Sequence, residues 1–317
     1  MKLISLVFSF KNEEKNIIEL VERTHVAISS LKNWKYELIF VNDDSNDNSE
    51  KILEKLQDTY PIKIINMSRT FGVGPCVLAG FQSSKGDCIV YMDSDLQDPP
   101  ELIPKLVDEH EKGYDIVHTI RTNRLGESRL RLVLTKLAYK IINYLSNINL
   151  PVEAGDFKLI SRRALNNILK QKEFRPYIRG LSVWVGYSQT NVKYIRDPRK
   201  MGERKFPLFS SQTFAEFTTG VTAHSLKPLY FGIIVGFISI LFSIALIIYA
   251  LYMKATNNIV PGTASIIITI SFFSGTILLT LGIIGIYLAR IFENVKGTDR
   301  YIIKDIKDFK IKSDLPK

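Results

Sequence analysis

YMDSDLQDPPELIP, residues 91–104, decides the reading of this chain. Asp93 and Asp95 stand where the apolar run Cys88–Met92 ends, Gln97 follows, and Pro99 and Pro100 open the next segment. Proline suits a helix's first turn, where its missing N–H costs nothing. The stretch therefore reads as buried strand, acidic turn, helix. Two carboxylates one residue apart at such a turn suit Mg²⁺ or Mn²⁺, hard cations that take oxygen ligands alongside substrate phosphates. Asp93 and Asp95 would diverge on a continuing strand, so a turn is expected at Ser94, with the Gln97 amide oxygen completing the shell.

On either side, short apolar runs alternate with helical patterns. Leu3–Phe10, Glu37–Val41, Ile62–Met67, Cys88–Met92 and Asp115–Ile120 are strand-like; Glu13–Ser30, Ser49–Tyr60, Gly74–Ser84 and Pro99–Lys112 are helix-like. This alternation predicts an α/β fold, a mostly parallel sheet with helices on both faces. Ligands of such sheets bind beyond the carboxyl ends of the strands. Asn12-Glu13, Asn42-Asp43-Asp44 and Asp93-Ser94-Asp95 all fall there. Asp43 can accept the imide N–H of uracil or the ring N–H of guanine; with Asp44 and Ser45 it also suits capping of the following helix.

The C-terminal third is of another kind. Leu229–Met253 and Ala264–Ala289 carry no charge, and each exceeds the roughly 20 residues that cross a hydrocarbon core. Arg199, Lys200, Arg204, Lys205 and Lys227 precede the first span, and Arg290, Lys296, Arg300 and Lys304 follow the second. The positive-inside bias therefore predicts both termini in the cytoplasm, at an inner membrane. Met1–Phe10 is too short and too weakly flanked for a signal peptide. The expected division is a catalytic domain at 1–205, a juxtamembrane segment at 206–228, spans at 229–253 and 264–290 around a short outer loop at 254–263, and a cytoplasmic tail at 291–317. Phe206, Phe209, Phe214, Phe217 and Val221 suit an interfacial helix or one packed on the globular domain. The tail beyond Glu293 has mixed charge and is expected to be disordered or to pack on a neighbouring subunit.

The formal charge of +10 fits anionic membrane lipids as partners. No nucleic-acid motif accompanies it. Cys76 and Cys88 lack CxxC spacing and read as reduced, packed thiols. Between Arg121 and Lys140 the chain is basic and helix-like. A diphosphate donor and a lipid acceptor together need both an acidic metal site and a membrane anchor.

The ordered motifs FKNEE (10–14), VNDDS (41–45), SRTFG (68–72), DSDLQDPPELIP (93–104), GDFKL (155–159), RGLSVWVGY (179–187), GERKF (202–206) and GIYLARIFENVKG (285–297) resemble the polyprenyl-phosphate glycosyltransferases. These are inverting family 2 enzymes of the GT-A fold, and the bactoprenol glucosyltransferase branch is the nearest in pattern. The resemblance spans nearly the whole chain. It implies transfer of glucose from UDP-glucose, or else of N-acetylglucosamine, galactose or mannose, to undecaprenyl phosphate for O-antigen or another cell-envelope glycan. It implies Glu13 and Asp43 on the nucleoside, Asp93, Asp95 and Gln97 at the metal and diphosphate, and Lys205 near the phosphates. Arg121, Arg131 and Thr135 match a lipid-phosphate site, with Arg129 able to take the place of Arg131. Asp156 matches a catalytic residue, beside Asp95 and Arg121. Homo-oligomers, a tetramer among them, go with that branch. Ser9, Lys11, Asn42 and Arg204 depart from the commoner Pro, Tyr, Asp and Ser, which puts aromatic stacking on the base in doubt.

The second pKa of a phosphate monoester is about 6, so the acceptor is mostly dianionic at pH 7. Asp156 is therefore expected to orient, or to face charge developing on the sugar, rather than to act as an essential base. A non-catalytic, membrane-anchored nucleotide-sugar binder is the reading from another class, disfavoured by the intact Asp93, Asp95, Asp156 and Lys205. A processive polysaccharide synthase would carry a Q-x-x-R-W run, and none is present.

Overall fold

Neighbouring residues of the first apolar run enter different cores. Leu6 and Phe8 pack with helices on one face of the sheet, and Val7 packs with helices on the other. A strand buried on both faces must be apolar throughout rather than alternating, which is why these runs read as continuous. The computed structural model describes residues 1–124, 137–138, 140–146, 150–151, 154–174, 176–196, 218–223, 225–256 and 262–309.

In chain order the elements are β1 (Lys2–Phe10), α1 (Ile17–Ser29), β2 (Trp34–Asn42), α2 (Ser49–Leu56), β3 (Ile62–Met67), α3 (Val73–Ser83) and β4 (Cys88–Asp93). A 3-10 turn at Pro100–Leu102 leads into α4 (Ile103–Glu111), followed by β5 (Ile116–Arg124), β6 (Ala154–Ser161), α5 (Arg162–Leu169), α6 (Ile178–Trp184) and β7 (Gln189–Arg196). Two long helices, α7 (Lys227–Ala255) and α8 (Thr263–Val295), precede a last strand, β8 (Ile303–Lys307).

The sheet order is β7-β5-β6-β4-β1-β2-β3-β8. Strands β4, β1, β2 and β3 are mutually parallel. The mostly parallel sheet expected from the sequence is formed, with β6 running antiparallel between β4 and β5. That reversal brings the N-terminal end of β6 to the edge where β4 and β5 end. Helices α1, α2 and α4 cover one face, and α3, α5 and α6 the other. Cys76 and Cys88 are buried and unbridged.

The tail differs from expectation. Over residues 303–307 it is ordered and adds β8 antiparallel to β3 of its own sheet. The Lys307 ammonium bridges Glu50 and Glu54 of α2, and Asn66 of β3 donates to Asp305. Helix α8 also runs past the expected end of the span at Ala289–Arg290, to Val295. Both long helices are apolar and long enough to cross a membrane. Ile233, Ile268 and Leu278 are 67%, 69% and 69% exposed, which a core helix of a soluble protein does not show. The two helices touch closely at Gly232, where an added Cβ would lie 3.1 Å from Thr280 Cγ2. Val221 packs against Ile142 and Leu150, so that part of the juxtamembrane segment lies on the globular domain; residues 201–217 lie outside the described residues.

Helix α3 can approach β1 and β2 only because position 80 is glycine: a Cβ there would sit 2.3 Å from Val7 Cγ1 and 3.2 Å from Val41 Cγ2. Gly80→Ala is expected to destabilise the fold by about 1–3 kcal/mol through overpacking, read as a lowered thermal midpoint in detergent. An unchanged midpoint would mean that α3 slides freely on the sheet.

Candidate active site

Among the described residues three non-glycine positions have positive φ, and each follows a parallel strand: Asn12 (56°) after β1, Asp44 (61°) after β2 and Leu96 (57°) after β4. Asparagine and aspartate tolerate this region, whereas leucine there is strained, and such strain persists only where surroundings enforce it. The first two turns are laced together. Asn12 N–H donates to Ser45 Oγ, Asn46 N–H to Asn12 Oδ1, and Glu13 N–H to Ser49 Oγ, at 2.9–3.0 Å. The Glu13 side chain is 8% exposed and accepts from Asn16 Nδ2 at 2.7 Å. Asp43 accepts the N–H groups of Phe71 (2.7 Å) and Gly72 (3.0 and 3.2 Å). It thus holds the approach to α3, rather than capping the helix that directly follows it.

At the third strand end β4 stops at Asp93, and the chain turns through Ser94, whose hydroxyl donates to Ser9 O at 3.0 Å. Tyr91 Oη donates to Asp93 Oδ1 at 2.9 Å. Burial, and then the nearby carboxylates of Asp156, Asp95 and Asp98, push the Asp93 carboxyl up to about 7. Asp95 Oδ1 accepts the backbone N–H of Gln97 at 3.2 Å.

Two further carboxylates here are neutralised by arginines. Asp98 is wholly buried and meets Arg121 at 3.3 Å, Arg196 at 3.2 Å and the Tyr194 hydroxyl. Arg121 also donates to Tyr194 Oη at 3.0 Å. Its guanidinium lies over Gly155, where a Cβ would come within 2.7 Å of Nη2; the glycine of the GDF motif makes room for that arginine. Asp156 receives both arms of Arg179, with Nε at 2.7 Å. Burial alone would raise the Asp156 carboxyl; the Arg179 charge and hydrogen bonds, with Lys158 and Arg121, outweigh it and hold it well below the usual carboxylate range. Lys158 is buried beneath the site, where desolvation lowers its ammonium to about 8 against the opposing pull of Asp156.

The fold thus gathers Asp93, Asp95, Asp156 and Arg121 at one sheet edge, with Glu13 and Asp43 on the adjoining strand ends. Arg131, Thr135, Lys205 and the alternative Arg129 lie outside the described residues. Asp98, Tyr194, Arg179 and Lys158 were not singled out by sequence, though Asp98 sits in DSDLQDPPELIP, Arg179 opens RGLSVWVGY and Lys158 sits in GDFKL. Among the described residues no three metal-ligating side chains cluster. Asp93 and Asp95 nonetheless fit a hard divalent cation: both are oxygen donors at the turn that ends β4, and burial disfavours Asp93 as a bare anion.

Removing the charge of Asp98 leaves two arginines buried without their counter-ion. Asp98→Asn is expected to cost about 3 kcal/mol, seen as a lower melting temperature. An unchanged midpoint would show that Arg121 and Arg196 find water there.

The glycosyl transferase family 2 model matches residues 5–169. An uncharacterized glycosyltransferase of Synechocystis, sll0501, is 37% identical over 96% of this chain and 95% of its own. YkcC of Bacillus subtilis, also an uncharacterized glycosyltransferase, is 37% identical over 95% of this chain and 93% of its own. The prophage bactoprenol glucosyl transferase homolog of Escherichia coli is 32% identical over 96% of this chain and 99% of its own. Among solved structures, the Mycobacterium tuberculosis glucosyl-3-phosphoglycerate synthase, in complex with Mn²⁺ and UDP-glucose, is 19% identical with a TM-score of 0.46, covering 69% of this chain and 77% of that one. The sheet with its covering helices is a GT-A fold, and the chain is a glycosyltransferase belonging to family 2.

Proposed function

We propose that the chain transfers a sugar, glucose from UDP-glucose, to undecaprenyl phosphate at the cytoplasmic face of the membrane, with inversion at the anomeric carbon. The observation that carries this reading is the joining of an acidic sheet edge to two membrane-length helices through β8 of the same sheet. Relatives named bactoprenol glucosyl transferase, which match from end to end, support the acceptor and the sugar. The Lys and Arg flanks of both spans support a cytoplasmic catalytic domain, with both termini on that side. The outward apolar faces of α7 and α8 suit lipid and self-association, a tetramer included.

Glu13 and Asp43 would meet the nucleoside. Asp43 already accepts three N–H contacts, which leaves little beyond one lone pair for a base N–H. Asp93, Asp95 and Gln97 would hold Mg²⁺ or Mn²⁺, which when bound neutralises the departing diphosphate. Arg121, fixed by Asp98 and Tyr194, is placed to steady a phosphate, with Arg131, Thr135 and Lys205 completing the phosphate contacts. The acceptor oxygen attacks the anomeric carbon as its bond to the diphosphate oxygen breaks. The dianionic acceptor needs no strong base. Asp156, locked by Arg179, would present a fixed negative charge to the sugar.

The test incubates the full chain in vesicles with undecaprenyl phosphate, Mn²⁺ or Mg²⁺ and labelled UDP- and GDP-sugars, counting label extracted into organic solvent. One donor, UDP-glucose, should label the lipid, and Asp95→Asn should lower the rate about a hundredfold or more. No label from any donor would sink the proposal. Asp156→Asn should reduce transfer by a similar factor at pH 5.5 and pH 8; a deficit confined to pH 5.5 would make Asp156 a base.

Asp93, raised to about 7, gives a second handle. A carboxyl raised in the folded state contributes stability at low pH that is lost as pH rises through about 7, and a bound cation restores it. Mn²⁺ should therefore raise the melting temperature more at pH 8 than at pH 5.5. Equal shifts would place the metal elsewhere.

A further inference from the structure

The motif GIYLARIFENVKG has no part in the chemistry above, yet three of its polar side chains, Tyr287, Arg290 and Asn294, are engaged with the globular part. Tyr287, Arg290 and Asn294 recur at spacings of three and four and so share one face of α8. Tyr287 Oη donates to Ser225 O at 2.7 Å, and Arg290 Nη1 to Thr222 Oγ1 at 3.1 Å. The same arginine reaches Glu173 Oε2 through Nη2 at 3.5 Å, with side chains only 21% and 26% exposed. Asn294 Oδ1 accepts the backbone N–H of Phe174 at 2.8 Å. Just past the helix, Arg300 Nη2 donates to Gln171 O. The end of the second span and the residues after it thus grip Gln171, Glu173 and Phe174.

That gripped segment leads directly into α6, and α6 carries Arg179, whose guanidinium forks onto Asp156. Helix α6 spans only Ile178–Trp184 and has no side-chain N-cap. A helix that short has no stability of its own, so its place is set by what it packs against and by what holds the chain before it. Leu181 packs into the core on its face of the sheet, Arg179 meets Asp156, and Lys158 donates to Ser182 Oγ at 3.3 Å. The segment before the helix is held from the membrane helix.

We propose that Arg290, with Asn294, is a positioning residue for sugar transfer: by fixing residues 171–174 it seats α6 so that Arg179 orients Asp156. The span then anchors the enzyme and also completes its site. The proposal rests on the transferase reading above for its reaction, but not for its geometry. It requires that loss of the grip loosen α6 and slow the chemical step while the donor, bound at the other strand ends, is held as before.

The experiment uses the full chain in vesicles and compares it with Arg290→Gln, Arg290→Lys and the exchanged pair Glu173→Arg with Arg290→Glu. Amide hydrogen exchange over 178–184 is read beside kcat and the donor KM. Arg290→Gln should speed exchange in α6 and lower kcat, each about tenfold, within the range such couplings carry, with donor KM little changed. The exchanged pair should recover most of both. Exchange in α6 at the parent rate in Arg290→Gln would overturn the proposal, whatever happens to transfer. So would a loss confined to donor KM. If Arg290→Gln does not fold, Arg290→Lys, which keeps the charge but not the planar fork, is read by the same criteria. A parent chain that transfers nothing counts against the transferase reading, and the exchange measurement still decides the relay.

Discussion

Four carboxylates crowd one edge of the sheet, and the fold is organised around keeping them there. Asp93 feels this most: its burial and the charges of Asp156, Asp95 and Asp98 disfavour its ionised form. Charges so placed must be paired, protonated or bound to a cation. Asp98 and Asp156 have dedicated arginines, and the arginines have their own supports: Tyr194 holds Arg121, and α6 carries Arg179. In the proposed reaction a divalent cation with the donor's diphosphate meets Asp93 and Asp95. The antiparallel insertion of β6 makes the arrangement possible, because it alone brings Asp156 to the edge where β4 and β5 end.

How much of this was legible depended on whether a residue's role is local. Asp93 and Asp95 follow an apolar run and precede two prolines, so strand, turn and helix could be read from adjacent residues. The same holds for Glu13 and Asp43. Asp98 is as central, but its partners Arg121, Tyr194 and Arg196 come from β5 and β7, and no sequence spacing links them. Arg179 was quoted within a motif without a role, since its partner Asp156 lies on another element. The direction of β6 was hidden too, because a strand's residues give its burial and not its orientation. Strand β8 was missed for a related reason. Its isoleucines and charges read as an ordinary mixed tail until Glu50, Glu54 and Asn66 supply partners across the sheet edge.

The ends of the chain explain how a membrane helix is tied to a catalytic sheet. β8 closes the β3 edge, which would otherwise present unpaired backbone groups, and does so with residues that come directly after α8. Arg290 and Asn294 make a second connection on the opposite face, toward α5 and α6. Two attachments, one at the sheet edge and one at the segment after α5, restrict rotation of the domain about the spans far more than one linker can. In the proposed reaction, an acceptor phosphate confined to the membrane surface is met at a fixed height only if the active site cannot swing.

The state of Asp156 bears most directly on mechanism. A general base works best when its pKa lies near the working pH. Partial desolvation alone would move Asp156 in that direction, but Arg179, Lys158 and Arg121 reverse the effect and hold it well below the usual carboxylate range. A carboxyl so placed is a weaker base than a phosphate monoester, whose second pKa is about 6, so taking a proton from the acceptor would run uphill. What the pairing with Arg179 does secure is a charge of fixed sign and direction, which in the proposed reaction faces the sugar. A fixed charge of this kind needs no reorganisation as positive charge develops on the ring, and it favours an electrostatic role for Asp156 over proton transfer.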